Sequence, residues 1–402
     1  MNSADSFTDP TEIQQVINSV IEAVDSDDDL PAEIANLQNV MNSIRSLNNS
    51  NNPAIKYRYP YNTAIRPVTL AEPITEEILR ENNIPADCRA YSELLDAPGF
   101  YSLTQLQPTE FVELLKLLQP TIDNSCIDGE IKANDDDPLI SANNNSRPSR
   151  RKLIAADRLL CWLIQLGGDR DIIVSRIMNT SVRTVTKNFG FITDIVNTLL
   201  AEEMTWPDEN ERKLLYDMFP IYKKAIAVVD GTHCEIKIPG DLDDEDSYYS
   251  AYKHKHTQLY LIYIDPHGFF RKIEGPWEGS NVDRGVFIQS EIYKNTQNYL
   301  VDDERILADG GFGGDGPILF PYNKIDLQKA GDKKPEYQAY NELLTESRSL
   351  VEHAIHRLKA RASMLVGRFP KDKVKQHKTV IAAALIFNWT RRIRIIQQQQ
   401  RK

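Results

Sequence analysis

Ala225-Ile226-Ala227-Val228-Val229-Asp230-Gly231 is the stretch on which the reading of this chain turns: five apolar residues close on an acid and a glycine. Before it the apolar residues recur at helical spacing. After it they fall into short β-prone runs at residues 235–238, 258–265 and 269–274, punctuated by Gly and Pro. A helix beginning near Asp283, a strand over 305–308 and a long helix over 337–365 follow. Strands first, then alternation with helices, predicts an α/β domain on a mixed sheet flanked by helices.

Asp230 and Asp309 share a setting, since Asp309 closes the run Arg305-Ile306-Leu307-Ala308 as Asp230 closes its own. A carboxylate finishing a buried strand is costly unless it is paired or metal-bound, which makes these two acids candidates for chemistry. Either one alone reads equally as a turn or helix-capping Asp. Asp315 is the local rival to Asp309, and Asp265, in Asp265-Pro266-His267-Gly268, reads as a turn residue. In the long helix Leu343, Leu344, Leu350, Val351, Ala354, Ile355 and Leu358 form an apolar stripe. Glu352 lies at its margin, one turn from Arg348, and spacing alone allows it to be no more than that arginine's ion-pair partner. The glycines at 310–316 lack a following Lys-Ser/Thr, so they are no phosphate loop. His233 and His256 have both a structural reading and a substrate-contacting one.

Upstream, residues 155–166, 171–178 and 182–200 predict three consecutive helices with short connections. Ser181 is placed to cap the third, whose first turns carry Arg183 and Lys187 on polar positions. That is how a helix-turn-helix presents a recognition helix, and also how an inert three-helix scaffold is built. Residues 13–24 and 30–44 predict an acidic helical hairpin, and 134–150 reads as a loop. The expected organisation is an acidic arm and linker at 1–52, a helical region with that loop at 53–150, a helix-turn-helix-like region at 151–220, the α/β domain at 221–370, and a closing helix with a basic tail at 371–402.

The 402-residue chain has a formal net charge of -11, which seems unsuited to a polyanionic partner until its distribution is followed. Much of the excess acid lies in the first fifty residues, including Asp25, Asp27, Asp28 and Asp29, whereas from Arg357 onward the sign reverses. The four cysteines form no Cys-x-x-Cys pair, which excludes a zinc ribbon and argues against a disulfide framework. No apolar run approaches the roughly 20 residues of a membrane span, and no signal peptide is expected.

Several ordered blocks carry a resemblance. Val228-Val229-Asp230-Gly231-Thr232-His233 resembles the first catalytic block of PIF/Harbinger transposases and their nuclease relatives. Gly279-Ser280-Asn281-Val282-Asp283 resembles a second block, with Glu278 where the family usually has Pro. Leu307-Ala308-Asp309-Gly310-Gly311-Phe312 followed by Phe320-Pro321-Tyr322 resembles the second acidic block. Asn341, Ser347, Arg348, Glu352 and Lys359 resemble the third. The resemblance implies an RNase H-like fold and a DNA transposase that hydrolyses and transfers strands at terminal inverted repeats. It implies Asp230, Asp309 and Glu352 as catalytic residues and as ligands of two Mg²⁺ or Mn²⁺ ions. Octahedral Mg²⁺ suits such hard oxygen donors. Double-stranded DNA is the expected partner, through Arg183, Lys187, Lys253, Lys255, Arg348, Lys359 and Arg361. A Myb-like DNA-binding protein, self-association and a nuclear location are further expectations, with no membrane role. The alternatives are a domesticated chromatin or protein-interaction module without cleavage, and a host nuclease.

Overall fold

The computed structural model describes residues 73–125, 153–238, 242–314, 316–367, 369 and 372–400. The arm at 1–52, the loop at 134–150 and Asp315 lie outside the described residues. Pro67–Thr390 form one compact unit.

Its first part is helical: α1 (Glu76–Glu81), α2 (Arg89–Leu95), α3 (Ala97–Thr104), α4 (Pro108–Asn124), α5 (Ala155–Leu166), α6 (Asp171–Ile177) and α7 (Val182–Leu199). Pro108 opens α4 at a position where a missing N–H costs nothing, and the Glu110 carboxylate accepts from the Gln107 N–H. Ser181 caps α7 as expected, its hydroxyl accepting from the Thr184 N–H at 3.1 Å. α5 is buried along almost its whole length, and α7 is pinned to it by two polar contacts. Trp162 Nε1 donates to Thr193 Oγ1 at 2.9 Å, and Asn188 Nδ2 donates to the Arg158 carbonyl at 2.9 Å. These bonds satisfy groups that would otherwise be stranded in an apolar contact. Arg183 stays exposed on the first turn of α7.

After α8 (Glu209–Leu214) come β1 (Ala225–Glu235), α9 (Leu242–Tyr248), β2 (Tyr249–Ser250), β3 (Lys255–Ile264), β4 (Phe270–Glu278), α10 (Asp283–Phe287), α11 (Glu291–Lys294), α12 (Thr296–Tyr299), β5 (Arg305–Leu307), β6 (Ile318–Leu319), α13 (Lys324–Lys329), α14 (Lys334–Arg361) and α15 (Lys373–Gln400). The sheet runs β2-β3-β1-β5-β6, with β4 also on β3. β1, β2, β3 and β4 pair antiparallel, whereas β1, β5 and β6 pair parallel. This mixed sheet flanked by helices is consistent with the RNase H-like arrangement. β3 is buried at every position from Thr257 to Ile264, as an interior strand covered on both faces must be.

On one face Val229, Leu259, Leu261 and Tyr263 pack with Val286, Phe287, Ile292 and Phe312, each contributing about 1.5–3 kcal/mol by leaving water. On the other, Tyr260 donates its hydroxyl to Gln376 of α15, and Asn388 of the same helix holds both the N–H and the carbonyl of Phe270. A buried ion pair, Arg212 to Glu304 at 2.8 Å, ties α8 to the start of β5.

One element differs from its sequence reading. β1 does not end at Asp230 but continues through Gly231 to Glu235, so the runs at 225–230 and 235–238 are joined. Thr232 and Cys234 are buried and pair across to β3, which makes the extension favourable. Gly231 is tolerated inside it because a side chain from another loop occupies the place its Cβ would take.

Candidate active site

Val228 of β1 pairs with Leu307 of β5 in a parallel ladder, so Asp230 and Asp309, each two residues further along, are carried to the same level of adjacent strands. Alternation along β1 puts Asp230 on the face opposite Val229 and its apolar cluster. Both carboxylates are partly anchored by backbone: Asp230 Oδ1 accepts from Gly231 N at 2.9 Å, and Asp309 Oδ1 accepts from Gly311 N at 2.6 Å.

α14 packs on β1, β3 and β5 through Leu344, Leu350, Val351, Ala354, Ile355 and Leu358, as the stripe predicts. At its margin Arg348 faces two acids at once. Its Nη2 lies 3.7 Å from Asp309 Oδ2 and 3.3 Å from Glu352 Oε1. The Arg348 side chain is 16% exposed and that of Glu352 56%, so the guanidinium is held inward while the glutamate sits in solvent. Asn341, one of the residues of the third block, clamps the Tyr322 backbone with bonds of 2.9 Å to its N–H and carbonyl. Its place in the pattern is therefore structural.

A further carboxylate is present, one that the sequence places within a block without giving it a role. Asp283 opens α10, and its Oδ1 lies 2.1 Å from where a Cβ on Gly231 would stand, with its Oδ2 3.7 Å from the corresponding point on Gly311. Its loop is knitted to the one bearing Asp309: Arg284 donates to the Gly313 carbonyl, and the Phe287 and Phe312 rings meet edge to face at 5.7 Å. Two signals in the sequence could have found it, the acid ending a Gly-Ser turn and the unusual glycine following Asp230 inside a strand.

The electrostatics register this crowding. Burial, with the charges of Asp283 and Asp309, pushes Asp230 up to about 6, against the lowering influence of Arg348 and the Gly231 N–H. Burial and Asp309 raise Asp283, opposed by Lys253. Burial, Lys253 and Lys359 lower His233 to about 4, and its Nδ1 lies 2.8 Å from Thr257 Oγ1, which favours its structural reading.

The basic residues expected at DNA have different surroundings. Lys359 donates to the His233 carbonyl at 2.7 Å, and burial lowers its proton affinity. Arg361 donates to the Gln105 carbonyl at 3.2 Å, and Lys255 is paired with Glu235. Lys253 is exposed beside the Tyr252 ring. Glu278, in the place usually taken by Pro, is paired with Lys373.

Among the described residues no three His, Cys, Asp or Glu side chains are gathered closely enough to hold a metal ion. Like-charged carboxylates repel, and Arg348 stands between Asp309 and Glu352. The donor chemistry nonetheless fits a hard divalent cation: the carboxylates of Asp230, Asp309 and Asp283 offer only oxygen, and their mutual repulsion is what a cation relieves. Also among the described residues, no helix is long and apolar enough to cross a membrane.

Residues 229–388 match the family model of the DDE superfamily endonucleases, a span containing Asp230, Asp283, Asp309 and Glu352. No curated protein and no solved structure matches the chain. The match supports a transposase-type nuclease of the DDE class, a class that acts on DNA and generally uses divalent metal ions.

Proposed function

We propose that the chain is a metal-dependent DNA endonuclease and transposase acting at the terminal inverted repeats of a PIF/Harbinger-type element. The observation that carries this reading is the parallel register that brings Asp230 and Asp309 level on neighbouring strands, inside the span matching the endonuclease family. Asp230, Asp309 and Glu352 would hold two Mg²⁺ or Mn²⁺ ions. When bound, these supply Lewis-acid stabilisation of the attacking and leaving oxygens.

The chain's own residues have separate tasks. Asp230 must shed the proton that burial favours before it can act as a ligand. Arg348 keeps Asp309 neutralised until the site is loaded and then faces the phosphate. Arg183, Lys187 and Lys253 attract the duplex, phosphate contacts setting affinity rather than rate. Hydrolysis at an element end would free a 3′-OH that attacks target DNA, with no covalent protein intermediate. A Myb-like partner, self-association and a nuclear location belong to the same proposal.

A second reading, a domesticated chromatin or protein-interaction module, is favoured by one observation: Arg348 already pairs with two of the three acids. Supercoiled plasmid incubated with the purified full chain separates the two. Nicked circles in Mg²⁺ or Mn²⁺ that vanish with EDTA support the nuclease; intact plasmid in both metals supports the module.

A further inference from the structure

Between β2 and β3 the chain reverses at Ala251-Tyr252-Lys253-His254, with His254 in the left-handed region at φ 54°. Tyr249 pairs with His256 and Ser250 with Lys255 at the hairpin's base. The Lys253 N–H donates to Ser250 Oγ at 3.4 Å, bracing the turn. At the tip the Tyr252 side chain is 81% exposed, and the next most exposed large apolar residue among those described is Val282 at 68%, one position before Asp283. The two barest apolar groups thus stand on the two segments that border the carboxylates.

Those segments are locked together. Ser280 N donates to the Ser247 carbonyl at 3.1 Å. A Cβ on Gly279 would lie 2.5 Å from the Tyr248 carbonyl and 2.3 Å from Thr257 Oγ1, so the loop leading to Asp283 lies flat on the root of the hairpin. The Lys253 ammonium, 4.2 Å from the centre of the Tyr252 ring, is also near enough to favour ionisation of Asp283. One face of the ring therefore rests on a cation at the edge of the acidic site, and the other face is open to solvent.

Water solvates an aromatic face poorly, and a bare ring with an ammonium beneath it suits a flat π-system attached to a phosphate. We propose that Tyr252 and Lys253 form a stacking site for an unpaired nucleobase beside the scissile phosphate, Tyr252 stacking on the base and Lys253 meeting its phosphate. This rests on the nuclease reading above. It adds that the substrate is engaged with at least one base out of the helix, so that locally melted DNA is preferred over a perfect duplex. Strand-separating apolar side chains serve elsewhere as wedges of this kind.

The test uses the full chain with Ca²⁺ and two short duplexes of the same sequence, one fully paired and one carrying a small unpaired bubble that contains 2-aminopurine. The wild type should bind the bubble more tightly and quench its fluorescence. Tyr252→Ala should weaken bubble binding about 5- to 100-fold and abolish the quench while changing paired-duplex affinity little. Tyr252→Phe, which keeps the ring, should restore both, and Lys253→Ala should weaken both duplexes. Equal affinity of wild type and Tyr252→Ala for the bubble overturns the stacking site and leaves the nuclease reading standing. Failure of the wild type to bind either DNA overturns both.

Discussion

The Arg348 guanidinium lies 3.7 Å from the Asp309 carboxylate, and it is the positive charge that makes a crowded acidic site tolerable without a metal. Arg348 also opposes the rise in proton affinity of Asp230. Arg348→Gln removes that compensation and should destabilise the metal-free protein at pH 8 by about 1 kcal/mol. Mg²⁺ should recover part of the loss. Thermal melting with and without Mg²⁺ checks this, and an unchanged melting temperature at pH 8 without metal would show that the arginine bears no such charge burden.

Asp230 sets a pH dependence of definite sign. Its ordinary value of 3.8 is raised to about 6 in the folded chain, so between those values the native state binds more protons than the unfolded one. Stability contributed by this group is fully present below about pH 4 and is lost as pH rises through about 6. The loss is on the order of 3 kcal/mol, at about 1.4 kcal/mol for every tenfold gain in proton affinity on folding. Asp283, also raised, acts in the same direction. Urea denaturation of the metal-free protein from pH 4 to 8 should show the fall. Asp230→Asn should flatten it, and a variant with the full wild-type slope would assign the effect to other groups.

Arg183 and Lys187 stand one turn apart at the start of α7, with Arg183 exposed. Replacing both by Ala should weaken binding to all duplexes alike, because phosphate contacts carry no sequence information. The dependence of log affinity on log salt should become shallower by about 0.9 for each phosphate contact removed. Fluorescence anisotropy across a salt series measures both. Retained affinity with an unaltered salt slope would move DNA contact away from α7.

The parts of this fold that are legible in the sequence are those governed by periodicity. The α14 stripe, the three helices α5 to α7 and the Ser181 cap all follow from local spacing and capping chemistry, which one segment of sequence carries by itself. The end of β1 is not legible in this way, because the continuation past Gly231 depends on β3 beside it and on Asp283 filling the space at Gly231. Both are tertiary facts with no local signature. The same holds for the site. Asp230 and Asp309 stand out because each ends an apolar run, but the crowding by Asp283 and the place of Arg348 between Asp309 and Glu352 arise only when separate loops and a helix meet. Lys359 and Arg361 read as surface charge in a basic run, yet both heads reach backbone carbonyls inside the fold. A long aliphatic stem lets a cation turn inward without leaving a helix margin, and composition does not reveal which way it turns.

Glu352 is the most direct point at which to test the assignment of Asp230, Asp309 and Glu352 as one catalytic set. It is exposed, so Glu352→Gln preserves shape and removes one charge with little risk to folding. The decisive measurement is the rate of Mg²⁺-dependent nicking of supercoiled DNA by wild type and Glu352→Gln, with duplex affinity measured alongside. The account predicts that nicking falls at least about a hundredfold while affinity stays within about twofold, since metals set the rate and phosphate contacts set binding. Nicking by Glu352→Gln at the wild-type rate would contradict it.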